Sequence, residues 1–234
     1  MSGGASISVV VPTLDEEARI EAAIESVQGE ADEILVVDGG STDGTCARAA
    51  AAGATVLRSA GGRGPQQDDG ARSARGDLIV FLHADTRLEA GWAAALQALP
   101  SGVVGGAFRF AVDSPRPAFR ILEAAVGLRC RLFRLPYGDQ ALFARRDAYA
   151  RSGGFPRIPL MEDVALVRRL RALGPLAFLR QRAFTSARRW ERGGLLGTTA
   201  HNLWTLTQYA AGRSPERLAA AYAKRGGSRL EEST

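Results

Sequence analysis

The run SISVVV at Ser6–Val11, followed by Pro12-Thr13, decides the fold of the first half of this chain. It is continuously apolar apart from two serines and rich in β-branched residues, which predicts a strand buried on both faces. We expect Pro12-Thr13 to stop this strand. The spacing from Thr13 to Glu16 is that of a capping box, so a helix should follow.

The same alternation of short apolar runs and amphipathic stretches continues along the chain. It predicts a mostly parallel central sheet flanked by helices, an α/β fold, with a helical C-terminal extension. Further strands are expected at Glu33–Val37, Ala54–Leu57, Asp77–Leu82, Val103–Val112, Ala141–Ala144 and Leu176–Leu179. A loop is expected at Ser59–Pro65, followed by a helix that ends at about Arg75. Further helices are expected at Gly44–Ala52, Pro115–Phe133, Met161–Leu173, Gly193–Ala211 and Pro215–Lys224, with a frayed tail after Gly226.

The 234 residues and 46% hydrophobic content suit one large domain. We assign residues 1–190 to it, with a first half at 1–100 and a second half at 101–190, and residues 191–234 to the extension. No apolar run reaches the ~18 residues of a membrane span, and no leader pattern precedes the first strand. A cytoplasmic protein is expected, with peripheral membrane contact as an alternative. Cys46 and Cys130 are expected to be reduced, packed thiols.

The net charge of +5 comes from dispersed arginines. Without aromatic residues interleaved in a basic stripe, this pattern argues against nucleic acid as a partner. Arginine does suit the recognition of a diphosphate.

Polar residues follow three of the predicted strands: Pro12-Thr13, Asp38-Gly39-Gly40 and His83-Ala84-Asp85. In an open parallel sheet, ligands collect beyond the carboxyl ends of the strands. Each group alone could be a loop or a helix cap, but three on one rim favour a shared ligand. Asp38 could accept hydrogen bonds from a ribose or a base, and Gly39 allows close approach of the backbone.

Two common nucleotide sites are absent. No G-x-G-x-x-G motif follows the first strand, and the only lysine, Lys224, is not part of a P-loop.

A carboxylate pair and a lone carboxylate are the candidate chemical groups. Asp85 could bind Mg²⁺ or Mn²⁺, completed by substrate phosphates, and His83 could be a second ligand or a hydrogen-bonded residue at the strand end. Glu162-Asp163 begins a predicted helix. These acids could serve only the helix dipole, or could supply a general base.

Four motifs in order, ISVVVPTLDEE, VVDGGSTDGT, GDLIVFLHADT and MEDVALVRRL, span residues 6–190. Together they resemble family-2 glycosyltransferases with the GT-A fold, and most closely the small bacterial subgroup without transmembrane helices whose strand reads FLHADT. HAD stands at the place of the DxD motif, MED at that of the xED motif, and YGDQ at that of a loop contacting the donor sugar.

The resemblance implies roles for individual residues. The base would be Asp163, positioned by Glu162, with Asp85 and its neighbour His83 at the metal. The nucleotide would contact Pro12, Thr13, Asp38, Gly39 and Arg63, and the donor sugar Gly138, Asp139 and Gln140. Arg189 and Trp190 would contact acceptor or diphosphate, although a Trp packed in the core with its Arg neighbour stacked upon it is an equal alternative. His201 is the only histidine available as a further metal ligand.

The expected function is metal-dependent, inverting transfer of a sugar from a nucleoside-diphosphate sugar, with UDP the preferred nucleotide, to a hydroxyl acceptor. The apolar stretch Leu195–Ala211 is expected to cover the sheet or the acceptor groove. Because Arg192 and Arg213 flank it, an alternative is an interfacial helix that brings the enzyme to a lipid-linked acceptor. Two alternatives stay open: a degenerate sugar-nucleotide-binding module, and a nucleotidyltransferase. Departures from the family pattern are His83 at the first DxD position, and Pro65 and Asp68 where Arg and Asn are expected.

Overall fold

A computed structural model describes residues 4–223 of the chain. Its centre is a mixed sheet of eight strands in the order β3-β2-β1-β4-β7-β6-β8-β5. The strands are β1 (Ile7–Thr13), β2 (Glu33–Asp38), β3 (Thr55–Arg58), β4 (Leu78–Phe81), β5 (Thr86–Leu88), β6 (Gly105–Asp113), β7 (Leu142–Arg145) and β8 (Leu176–Ser186).

Ten helices flank this sheet in the part of the chain that the structure describes. They are α1 (Ile20–Glu25), α2 (Thr45–Ala51), α3 (Arg63–Ser73), α4 (Trp92–Gln97), α5 (Pro117–Phe133), α6 (Arg146–Ser152), α7 (Glu162–Leu173), α8 (Arg188–Gly193), α9 (Leu195–Ala210) and α10 (Pro215–Ala223). The expected end of the last helix at Lys224 and the tail after Gly226 lie outside the described residues.

Strands β1 to β4 form the parallel half of the sheet, as the apolar runs predicted. Because side chains alternate between the two faces, Val9 and Val11 join the core on one side, while Val10 joins the core on the other. The second half is mixed: β7 runs antiparallel to β4 and β6, and β5 antiparallel to β8, while β6 and β8 are parallel.

The expectation that Pro12-Thr13 stops the first strand is wrong. Pro12 and Thr13 pair with Val37 and Asp38 of β2. The carbonyl of Val10 accepts a hydrogen bond from Leu82, so by alternation the N of Pro12 also faces the β4 side. Strand β4 has already ended there, and the missing N–H of proline costs no ladder bond.

The capping box from Thr13 to Glu16 is also wrong, because α1 begins only at Ile20 and has no side-chain cap. The expected loop Ser59–Pro65 is shorter than predicted, since α3 already begins at Arg63. Strand β8 is longer than the expected Leu176–Leu179, since its pairing with β6 extends to Ser186 beyond an irregularity between Ala107 and Arg109.

The C-terminal helices pack against the sheet domain. Helix α8 spans the expected boundary at residue 190, and Leu218 of α10 is buried against Leu160 in the segment before α7. Cys46 and Cys130 are free thiols, the second buried. No helix among residues 4–223 has the length and apolar character to cross a membrane.

Candidate active site

The ends of β1 and β2 lie side by side at the rim of the sheet. Thr13 is in register with Asp38, and both are buried. The Oγ1 atom of Thr13 is enclosed and has no hydrogen-bond partner among the described residues. The rim therefore carries a hydroxyl that is free to bind a ligand next to a carboxylate.

Gln66 of α3 ties these two strand ends together. Its Nε2 donates to the carbonyl of Thr13 at 2.7 Å and to that of Val37 at 2.8 Å. A Cβ on Gly39 would lie 2.8 Å from this nitrogen, so a larger residue at this position would displace the Gln66 amide. No motif in the sequence indicated Gln66, because its partners are backbone atoms of distant strands.

The carboxylate of Asp38 accepts hydrogen bonds from the backbone N–H of Gly40, at 3.1 Å, and of Ser41, at 3.0 Å. Burial opposes its ionisation, but the Ser41 side chain and these backbone donors outweigh burial and lower the pKa of Asp38. Asp38 is therefore a charged acceptor that is held rigidly at the rim.

His83 and Asp85 lie in the turn between β4 and β5. Oδ2 of Asp85 is 3.2 Å from Nη2 of Arg188, at the start of α8. The same guanidinium binds the carboxylate of Glu16, with Nη1 donating at 3.0 Å. Arg188 thus links the loop after β1 to the turn after β4.

Helix α7 begins with an ion pair at the same rim. Glu162 is 1% exposed, and its Oε1 accepts a 2.5 Å hydrogen bond from Nε of Arg63. Its Oε2 is enclosed without a hydrogen-bond partner among the described residues, and burial raises the pKa of Glu162 against the opposing charge of Arg63. Met161, directly before it, has a φ of +68°, a conformation that costs about 1–3 kcal/mol in a non-glycine residue.

A short 3-10 turn at Gly138–Gln140 brings the helix and the strand turn together. The N–H of Gly138 donates to Oδ2 of Asp163 at 2.8 Å. A Cβ on Gly138 would lie 3.0 Å from Nε2 of His83 and 3.4 Å from Oδ2 of Asp163. The HAD and MED motifs therefore meet across this glycine.

His83 is neutral at pH 7. Burial lowers its pKa to about 4, and the charge of Arg63 acts in the same direction. The carboxylates of Asp85 and Asp163 oppose this shift, which shows that both lie within electrostatic range of one imidazole.

Asp139 of the 3-10 turn faces this cluster. Burial raises its pKa to about 6, although Arg129 and Arg189 favour the charged form. Its Oδ1 is enclosed without a hydrogen-bond partner among the described residues, so it can receive a donor from a ligand.

The expectation that Gln140 contacts the substrate is corrected. Its Oε1 accepts from Arg129 at 3.1 Å and from the N–H of Tyr137 at 3.2 Å, and its Nε2 donates to the carbonyl of Phe108. These hydrogen bonds occupy the side chain and stabilise the turn. The next residue, Ala141, has a left-handed φ of +46°.

Arg189 and Trp190 point in different directions. Arg189 is exposed, and its charge acts on His83 and Asp139, so it borders the cluster. Trp190 is buried, and its ring packs against Phe110 and Phe119 at 6.0 and 6.2 Å between centroids. Of the two alternatives that the sequence left open for Trp190, the ring contacts favour packing in the core.

His201 lies in α9, where its ring packs against Tyr222 at 4.8 Å and Trp204 at 6.4 Å. Among residues 4–223, no three His, Cys, Asp or Glu side chains are grouped closely enough to hold a metal alone. A metal at Asp85 would therefore need further ligands besides these side chains, such as oxygens of a substrate or of water.

Two open clefts, of about 490 and 400 Å³, lie elsewhere: one beside α1 and β5, the other between α7 and the α9–α10 connection. Neither cleft is lined by the residues of the polar cluster at the sheet rim, which is the candidate site.

The family model for glycosyl transferase family 2 matches residues 8–148, more than half of the chain. This chain belongs to glycosyl transferase family 2.

Several solved structures are similar to this chain. Glucosyl-3-phosphoglycerate synthase from Mycobacterium tuberculosis, in complex with Mn²⁺, UDP and glucosyl-3-phosphoglycerate, superposes with a TM-score of 0.56 at 27% identity. The alignment covers 78% of this chain and 72% of that one. The same enzyme with Mg²⁺ and UDP gives a TM-score of 0.55 at 26% identity, with the same coverage. These structures confirm the predicted GT-A fold.

In sequence, the glucosyl-3-phosphoglycerate synthase of Mycolicibacterium paratuberculosis is 41% identical over 95 residues. That match covers 35% of this chain and 29% of the relative, so it spans under a third of the relative's length.

Proposed function

We propose that this family-2 glycosyltransferase transfers a sugar from a UDP-sugar to a hydroxyl acceptor, with inversion at the anomeric carbon and with Mn²⁺ or Mg²⁺ as cofactor. The observation that carries the proposal is the meeting of His83 and Asp163 on either side of Gly138. It brings the strand-end motif and the helix motif, far apart in sequence, to one point where a donor and an acceptor can meet.

The nucleotide is assigned to the rim formed by β1 and β2. Thr13 offers a buried hydroxyl, Asp38 a fixed carboxylate, and Pro12 an apolar surface on the same strand end. Arg63 is engaged by Glu162, but its side chain remains 37% exposed and can still contact a phosphate. The solved relatives hold UDP or UDP-glucose, which supports a uridine donor for this chain.

The side chains of Asp85 and His83 offer ligand atoms that suit a divalent cation. The carboxylate of Asp85 and the neutral imidazole of His83 would hold the ion, together with oxygens of the donor diphosphate. When bound, the ion would stabilise the charge that builds on the departing nucleoside diphosphate. The ion pair with Arg188 holds the carboxylate of Asp85 in place when the substrate is absent.

Asp163 is the proposed general base. Both of its oxygens accept backbone hydrogen bonds, from Gly138 and from Val164, which orient the carboxylate. It would take the proton of the acceptor hydroxyl while the acceptor oxygen bonds to the anomeric carbon. The bond from that carbon to the diphosphate oxygen breaks in the same step, and the nucleoside diphosphate leaves. Buried Glu162, held by Arg63, would fix the first turn of α7 and so position the base.

Arg189 supports an acceptor that carries a negative charge. It is exposed beside the cluster, and its charge acts on His83 and Asp139. Crystal structures of the M. tuberculosis relative contain phosphoglyceric acid or glycerol 3-phosphate beside UDP-glucose. For this chain, the identity of the hydroxyl acceptor stays a prediction, and so does the lipid-linked acceptor.

A donor panel tests the proposal. Purified protein is mixed with Mn²⁺ and UDP-, GDP- or dTDP-sugars, and thermal shift and slow donor hydrolysis are recorded. Stabilisation by one UDP-sugar, with hydrolysis that Asp163→Asn abolishes, is the expected result. Stabilisation without hydrolysis in any wild-type sample would instead favour a non-catalytic nucleotide-sugar-binding module.

A further inference from the structure

Helix α5 carries an apolar stripe on its outer face. Leu128 and Leu132 follow Ile121 by about two and three turns on the same side of the helix, and the exposed fractions of Ile121, Leu128 and Leu132 are 75, 57 and 65%. Phe133, at its end, is 62% exposed. No element among residues 4–223 covers this stripe, and clusters of large exposed apolar side chains mark interaction surfaces.

The inner face of α5 is already used for folding. Phe119 is buried with Trp190, and Leu122 and Val126 pack against the same cluster. The exposed side chains are therefore surplus to the core, and the helix presents two distinct apolar faces.

The charges around the outer stripe are all positive. Arg116 and Arg120 lie at one end and Arg131 and Arg134 at the other, all exposed. The only acid of the helix, Glu123, is turned inward, where its Oε1 accepts a hydrogen bond from the N–H of Val112. Glu123 also pairs with Arg120 near the start of the helix. No carboxylate of α5 therefore lies near Arg131 and Arg134 at its end.

This charge pattern selects the occupant. A second copy packed in antiparallel fashion on α5 would bring arginines from the two ends together, with no outward carboxylate on the helix to pair with them. An anionic lipid surface would instead accept the apolar stripe among its acyl chains and bind the arginines to its head groups. We propose that the outer face of α5, through Ile121, Leu128, Leu132 and Phe133, docks this protein on an anionic membrane surface.

The docking helix leads straight into the candidate site. Gly138 lies five positions after Phe133, which at full extension is a distance of about 18 Å. If the proposed transfer function holds, docking would place the acceptor side of the site near the lipid head groups. The docking itself needs neither donor nor metal, so it is tested without them.

The test is flotation of the purified protein with vesicles of phosphatidylcholine alone, or with 30% phosphatidylglycerol. We expect binding to the anionic vesicles only. Leu128→Ser/Leu132→Ser should reduce it at least tenfold, because each substitution removes several buried methylene equivalents. Arg116→Gln/Arg131→Gln should reduce it by about 30-fold, at about fivefold for each charge.

Matched variants separate these effects from general changes. Leu173→Ser removes an exposed leucine from α7, and Arg146→Gln/Arg151→Gln removes two charges from α6; both should float like the wild type. All substituted residues are exposed, and an unchanged melting temperature checks the fold. Absence of wild-type binding, or binding by the α5 variants equal to the wild type, overturns the proposal. A dimer in light scattering that Leu128→Ser/Leu132→Ser dissociates overturns it as well, and assigns the face to self-association.

Discussion

The backbone N–H of Gly138 holds Oδ2 of Asp163 at 2.8 Å, and so orients a carboxylate at the first turn of α7 toward His83. A helix N-terminus favours an ionised acid through its unpaired N–H groups. The added donor from the 3-10 turn fixes the direction of the carboxylate. This geometry is what a general base requires, and it makes the first prediction specific.

Asp163→Asn should lower kcat by about 10²–10⁴-fold, the typical contribution of a general base. The amide oxygen can still accept from Gly138, so donor affinity should stay within about twofold. Single-turnover kinetics with UDP-sugar and a UDP titration check both. Asp147→Asn, on an exposed pair in α6, is the control. Unchanged turnover in the Asp163 variant would remove Asp163 from the chemistry.

Asp85→Asn should abolish the part of UDP stabilisation that depends on Mn²⁺. In the wild type, UDP with Mn²⁺ should raise the melting temperature more than either alone, because linked binding adds to stability. The measurement is thermal unfolding with UDP, Mn²⁺ and both. Asp113→Asn, which affects an exposed ion pair with Arg87, should behave like the wild type. A metal-dependent shift that survives in the Asp85 variant would contradict its role.

Arg63→Met should reduce the free energy of unfolding by about 2–3 kcal/mol, because Glu162 is left buried without its partner. The value lies below that for a fully buried pair, since Arg63 is 37% exposed. Adding Glu162→Gln should restore part of the loss, and urea denaturation measures both. Arg151→Met, from an exposed pair, should cost less than about 1 kcal/mol. Additive effects at positions 63 and 162 would show that the pair is not coupled.

The raised pKa of Asp139 predicts a pH-dependent difference in stability. Burial moves this pKa from 3.8 to about 6, so between these values the folded state binds more protons than the unfolded state. The contribution of Asp139 to stability is thus complete below about pH 4 and is lost as pH rises through 6. Asp139→Asn stays neutral throughout. Its stability relative to the wild type should rise from pH 4 to 7 by up to about 3 kcal/mol.

Urea denaturation of the ligand-free protein at several pH values measures this difference. The exposed Asp147→Asn gives the baseline for a surface aspartate. A stability difference for Asp139→Asn that does not change with pH would show that Asp139 ionises as it does in water.

Gln66→Met should cost about 1–3 kcal/mol in stability and weaken UDP binding. Methionine fills a similar volume but removes the two hydrogen bonds that Gln66 donates to the carbonyls of Thr13 and Val37. Thermal unfolding and UDP titration test this prediction. Gln97→Met is the control, because Gln97 donates a single bond to Ala5 at an exposed position. Full UDP affinity in the Gln66 variant would restrict Gln66 to a purely structural role.

The first half of the fold could be predicted closely because its signals are local. Strand β2 begins at the expected Glu33 and extends only one residue further, and β4 lies inside the expected Asp77–Leu82. The errors arose where a partner strand decides the outcome. Pro12 continues β1 because β4 ends beside it, and the sequence around Pro12 does not state where β4 ends.

The candidate site was predicted as a set of motifs but not as an arrangement. Asp38, His83, Asp85, Glu162 and Asp163 do border one rim. For Gln140 the motif predicted a contact with the donor sugar, and for Trp190 the sequence left core packing and a ligand contact equally open. Their hydrogen bonds and ring contacts decide the matter.

By itself the sequence determined the buried strands, the order of the four motifs and hence the family, because apolar periodicity and motif spacing are properties of neighbouring residues. The tertiary structure alone decided that Arg188 binds both Glu16 and Asp85, and that His83 and Asp163 meet at Gly138. These contacts join residues that are brought together by the order of the strands in the sheet. Local sequence patterns do not determine that order.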